Sequence, residues 1–221
     1  MTLKHKNSQL LFAYWNAVRG SRIAPKRFDI EPGRLGAVLP ETFILERTAD
    51  DSLVYRLAGT RLCEGFGLDL RGRDFLENLA SADRLNLKPQ LESIMAHGAA
   101  GLQHIEIENT AGEKGTVEVL LLPLTHTRDT IDRFLGCIVW LTEAIDLKGH
   151  KLTAKRLLTS QLIWPDGPAQ ETEAAAPPRH ADPARQAPFL PHIRNARIVR
   201  QDRRQFRVYD GGLTKPPLDK H

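Results

Sequence analysis

Six arginines, Arg194, Arg197, Arg200, Arg203, Arg204 and Arg207, opposed only by Asp202, place a net charge of +5 within residues 194–207. On a helix, Arg197, Arg200, Arg204 and Arg207 share one face, a spacing that follows nucleic-acid phosphates, an anionic membrane or an acidic protein surface. In an extended chain, Arg207-Val208-Tyr209 could instead add to an exposed sheet edge. A solvated tail is the remaining reading, because no reading helix or aromatic stacking platform accompanies the run. Elsewhere His, Asp and Glu are scattered, without the spacing of an acid–base pair or a metal cluster. Nucleophile-elbow, phosphate-loop, zinc-helix and dinucleotide-loop patterns are absent, so the chain is expected not to be an enzyme. Cys63 and Cys137 are too few and too far apart for a disulfide framework or a zinc site, and read as reduced, small hydrophobes.

The remainder of the chain must supply the scaffold. With 221 residues, 41% of them hydrophobic, and 31 basic against 27 acidic groups, it fits one domain and an appendage. Nine of the 14 prolines follow Trp164, and residues 164–221 carry ten basic against seven acidic groups, so this part reads as a largely disordered basic tail beginning with a Pro-rich linker over 165–191. No apolar run reaches the roughly 18 to 20 residues of a membrane span, and no signal-peptide core follows Met1 to Asn7, so a cytoplasmic location is expected.

Hydrophobic spacing places the elements. Ser8 can cap a short amphipathic helix carrying Leu11, Tyr14, Trp15 and Val18, with Gly20 as its stop. Residues 21–40, with three prolines, read as an irregular wrap outside the core. Phe43 to Leu45 and Leu53 to Leu57 are strand-like, Thr60 to Phe66 is a short helix ended by Gly67, and Ala82 to His97 is a longer one using Leu85, Leu91, Ile94 and Met95. Three strands follow, at His104 to Glu108, Thr116 to Leu124 and Phe134 to Thr142. Residues 146–163 read as a C-terminal helix, weakened at Gly149. Two strands, helices, then three strands define an α+β class, with a five-stranded antiparallel sheet and flanking helices.

That order, together with Gly59-Thr60-Arg61, Gly67-Leu68-Asp69-Leu70-Arg71-Gly72 and Leu122-Pro123-Leu124 ahead of Leu135-Gly136, resembles a PAS domain over about residues 8 to 145. More narrowly, Tyr14-Trp15-Asn16-Ala17-Val18-Arg19-Gly20, Pro25-Lys26-Arg27-Phe28-Asp29-Ile30 and Leu39-Pro40 are similar to the N-terminal signature of an alphaproteobacterial group of stand-alone PAS proteins.

The resemblance implies ligand sensing or protein interaction, without transferring an activity. It also implies pocket walls at Leu62, Cys63, Phe66, Phe75, Leu91, Ile94, Val119, Leu121 and Ile138, which a packed core would use equally well. Haem would need an axial ligand, for which His97 and His104 are the candidates, and flavin photochemistry a reactive cysteine. The surroundings of Cys63, Thr60-Arg61-Leu62-Cys63-Glu64-Gly65-Phe66, do not match the Asn-Cys-Arg-Phe-Leu pattern of light-sensing relatives, so no tightly bound cofactor is expected. Tyr14 and Trp15 either staple the first helix to the sheet, with Arg27 pairing with Asp29, or offer an apolar stripe to a second chain. The reading favoured is a regulatory module working through protein contacts, as a homodimer and with a signalling partner, its signal either a small-molecule ligand in the PAS pocket or the presence of that partner. A nucleic-acid or anionic-surface contact through the arginine run is the alternative, and a haem or flavin sensor the third.

Overall fold

The computed structural model describes residues 3–126 and 130–167. The described residues form six strands: β1 (Thr42–Arg47), β2 (Leu53–Ala58), β3 (Ala100–Asn109), β4 (Lys114–Thr125), β5 (Ile131–Trp140) and β6 (Leu152–Ile163). They make one sheet of order β2-β1-β5-β4-β3-β6 in which neighbours run antiparallel. Four helices accompany it: α1 (Lys6–Arg19), α2 (Pro32–Leu35), α3 (Thr60–Phe66) and α4 (Ser81–His97).

Both faces of the sheet are covered, which explains the unbroken apolar run Val119 to Leu124 in β4. Alternate side chains point to opposite faces of a pleated strand. Val117, Val119 and Leu121 enter an inner core with Phe43, Tyr55, Leu62 and Ile94. Leu120, Leu122 and Leu124 enter an outer core with Leu11 and Trp15 of α1. Within the inner core, Phe43 meets Tyr55 at 5.5 Å between ring centroids and Phe75 at 6.1 Å. Gly136 is required on that face, since a Cβ there would lie 2.3 Å from the Phe43 ring and 2.4 Å from the Leu120 carbonyl oxygen.

The largest departure from the sequence reading is at residues 146–163. The expected C-terminal helix is instead a strap followed by β6, so the sheet has six strands where five were expected. The Asp146 carboxylate accepts hydrogen bonds from the backbone N–H groups of Lys148 and Gly149, a local turn that competes with helix. Beyond it, β6 pairs with the full length of β3, and a register shift opposite His104 and Ile105 keeps Leu157 and Leu162 packed against the inner core. Helical spacing is a local property, and pairing to an available edge overrides it.

Smaller differences follow the same logic. The wrap over residues 21–40 contributes buried Ile30, Leu35 and Val38 to the outer core, so it is not merely external. In α4, Leu85 is 71% exposed and Leu87 occupies the buried position expected for it. His5 caps α1 through Nδ1, which accepts from the Asn7 N–H, while Ser8 lies buried within the helix.

Candidate functional site at the docked first helix

The first four N–H groups of a helix lack partners within it, and its N-terminus attracts negative charge. The first turn of α1 contains no acidic residue of its own. Two carboxylates from elsewhere in the fold supply the charge. Glu118 of β4 accepts from the backbone N–H groups of Lys4, at 2.9 Å, and His5, at 3.1 Å. Glu41, just before β1, accepts from the Asn7 side-chain amide and, at 2.8 Å, from Arg61 of α3.

Glu118 has no exposed surface. His104 faces it across the β3–β4 pair with Nε2 at 3.3 Å, and the other ring nitrogen of His104 lies 3.1 Å from the Thr159 hydroxyl on β6. Burial pushes the Glu118 carboxyl upward, but hydrogen bonds from the Lys4 backbone, the Ser8 hydroxyl, the His5 backbone and His104 outweigh it and hold the group below its ordinary value. The neighbouring Cys137 thiol, 3.7 Å from the Ser8 hydroxyl, is pushed up to about 12 by burial. It is a neutral core group rather than a nucleophile.

The middle of α1 is held by apolar contact. Leu11 and Trp15 are fully covered, and the Trp15 indole N–H donates to the Pro123 carbonyl at 2.9 Å. The Tyr14 hydroxyl accepts from the Glu31 backbone N–H, which fixes the wrap against the helix. Asp29 pairs with Arg22 at 2.6 Å, in place of the expected pairing with Arg27.

At the far end, the Arg22 guanidinium donates to the Val18 and Arg19 carbonyls of the last turn, and the Arg19 side chain is buried. Its guanidinium lies 5.8 Å from the Trp15 ring and donates to both Asp166 carboxylate oxygens, at 2.7 and 3.1 Å. That bidentate bond holds the Asp166 carboxyl below its ordinary value. Beside it, the His97 ring at the end of α4 meets Trp164 edge-on at 6.0 Å. The chain leaving β6 therefore touches the ends of both long helices.

The arrangement attaches one helix to the sheet through a buried carboxylate node, an apolar middle and a terminal ion pair. Among the described residues, no group of three or more His, Cys, Asp or Glu is placed to hold a metal ion.

The nine residues expected as pocket walls divide. Leu62, Phe66, Phe75, Leu91, Ile94, Val119, Leu121 and Ile138 all pack in the inner core. Cys63 does not join them, and lines a shallow surface groove with Arg56, Asp69 and Arg71. The two histidines weighed as haem ligands do not converge on that core. His104 sits on the outer face with both ring nitrogens engaged, and His97 lies at the Trp164 junction. These residues therefore do not fit an axial-ligand position there, nor does Cys63 fit a flavin site in the core. Arg194, Arg197, Arg200, Arg203, Arg204 and Arg207 lie outside the described residues. The sequence reading missed Glu118, although an acidic residue within the apolar run Thr116 to Leu124 is a legible signal for a buried charge with partners.

The order β2-β1-β5-β4-β3, with α3 and α4 between its halves in sequence, is that of an α+β module built on one antiparallel sheet. A family model described as PAS domain matches residues 3–139, from ahead of α1 to the penultimate residue of β5, and the chain belongs to the PAS domain family. No curated protein matches it in sequence. Among solved structures, one described as an RsLOV d2 variant is similar at a TM-score of 0.38 and 15% identity, covering 64% of this chain and 70% of that one.

Proposed function

We propose that this PAS protein is a non-enzymatic, cytoplasmic regulator that signals through protein contacts made by α1, as a homodimer and toward a signalling partner. The observation that carries this reading is the construction of the α1 attachment. A helix held only by hydrocarbon has one docked state, whereas a helix held also by a buried carboxylate and an ion pair at the exit of β6 has discrete contacts whose loss defines a second. The outward side of α1 supports the dimer, because Leu10 is 49% exposed and Ala13 and Ala17 continue that side at helical spacing.

The test is the solution mass. Replacing Leu10 and Ala13 together by glutamate leaves the inward face of α1 untouched, and is expected to halve the mass measured by light scattering. A monomeric parent, or a mass unchanged in the double variant, rejects α1 as the contact.

A further inference from the structure

A second region has the makings of a ligand site, away from the aromatic interior. The strap after β5 crosses the end of the inner core, and buried Leu147 closes it. This crossing depends on Gly67, whose φ is +67° and where a Cβ would lie 2.6 Å from the Leu147 carbonyl oxygen. Farther on, the Lys155 backbone N–H donates to the Asn78 carbonyl at 2.8 Å, tying β6 to the segment that precedes α4. Between these two ties lies a groove of about 490 Å³, within the range of small-molecule sites.

The groove has an apolar part and an electropositive part. Tyr55, Leu68, Leu147 and Leu152 line the former. Arg73, Lys148, Lys151 and Lys155 supply four cationic groups against Asp74 and Glu77. Both acids are already engaged: Glu77 with Arg73 at 3.5 Å, and Asp74 with Arg84 at 4.0 Å and with the N–H groups of Leu53 and Leu76. Lys155 has no carboxylate within ion-pair distance among the described residues. Its ammonium donates to the Phe75 carbonyl at 3.0 Å and lies 5.8 Å from the Phe75 ring. An ammonium has three donors, so this half-buried cation retains capacity for an anionic acceptor.

We propose that this groove binds a small amphipathic carboxylic acid, its carboxylate on Lys155 with Lys148 and Lys151 at the rim, and its apolar body along Leu147 and Leu152. Burial independently lowers the Lys155 amine to about 8, against the opposing effect of Glu77 and Asp74, the behaviour of a cation short of a counter-charge. The carboxylate supplies that charge, and the hydrocarbon supplies affinity that an inorganic anion lacks. The assignment deepens the regulatory reading by naming the signal class, but its test reads binding, so its failure is distinct from failure of the dimer.

Octanoate, octanol and acetate are titrated separately into the full chain at fixed ionic strength, following amide shifts by NMR. Octanoate is expected to shift residues 147–155 and 67–78 saturably, with acetate and octanol each at least tenfold weaker. Lys155→Met is expected to weaken octanoate at least tenfold and Lys155→Arg to retain most of the affinity, while the Lys148→Ala, Lys151→Ala double variant weakens it severalfold. Circular dichroism establishes that each variant is folded. Octanol binding as tightly as octanoate, unchanged affinity in folded Lys155→Met, or no saturable shift with the parent chain overturns the proposal.

Discussion

The two faces of the sheet are sealed by different physics. On the inner face, Phe43, Tyr55 and Phe75 meet edge-on or stacked among aliphatic side chains from α3, α4 and all six strands. On the outer face, the apolar contacts of Leu11 and Trp15 are flanked by a buried polar node at one end and an ion pair at the other. Apolar burial is non-directional, and its gain is spread over many contacts. A carboxylate without exposed surface is stable only with its partners in place, so that seal is conditional on geometry and protonation. Under the proposed function, the inner face keeps the fold and the outer face supplies the capacity for change.

Four measurements test that contrast. The largest effect is expected from Phe43→Ala, which removes a fully buried ring and should lower global stability by about 3–5 kcal/mol, read by denaturant unfolding. A loss confined to α1 would contradict the division between the faces. Next, Glu118→Gln keeps the shape but removes the charge, with an expected loss of about 1–3 kcal/mol. Its amide-exchange signature should concentrate in residues 4–19, and uniform acceleration through β3, β4 and β5 would show that the node supports the whole fold.

Acidification probes the same carboxylate without mutation. The folded Glu118 group is held below its ordinary value of 4.5, so the unfolded or undocked form binds more protons as the pH falls. Its stabilising contribution is fully present above 4.5 and is lost as the pH falls through the lowered native value. The parent should therefore lose α1 protection in acid more steeply than Glu118→Gln, and parallel profiles would remove Glu118 from the docking equilibrium. The smallest effect is expected from Asp166→Asn: an exposed partner contributes little to global stability, so the unfolding midpoint should hardly move. Exchange at Arg19 and Gly20 should rise nonetheless, and no change there would mean that the terminal ion pair does not restrain α1.

Much of the scaffold is legible in the residues themselves. The short helix between Gly59 and Gly67 follows from its flanking glycines, and the left-handed conformation of Gly67 is the stop that a glycine permits. Strands β1 to β5 follow from β-branched and leucine-rich runs between turn residues. The strand β6 was not legible, because Leu152, Leu158 and Leu162 have a spacing compatible with a helix and nothing local reports that the edge of β3 is vacant. It also lies beyond the residues that the PAS family model matches. The candidate site was legible only in parts. Trp15 stood out by type, but Glu118, His104 and Arg19 acquire their roles from partners more than ten residues away, at Lys4, Thr159 and Asp166.

The sequence alone determined the PAS class, through the resemblance of its short motifs, and the succession of the first five strands along the chain, because hydrophobic periodicity and glycine placement act over a few residues. Only the tertiary structure decided that residues 152–163 form an edge strand, that α1 rests on a buried glutamate, and that Lys155 lies in a groove with no carboxylate within ion-pair distance among the described residues. Each of these depends on which distant groups meet, and long-range pairing can reverse a local preference for helix or leave a cation half-buried, outcomes that residue spacing does not encode.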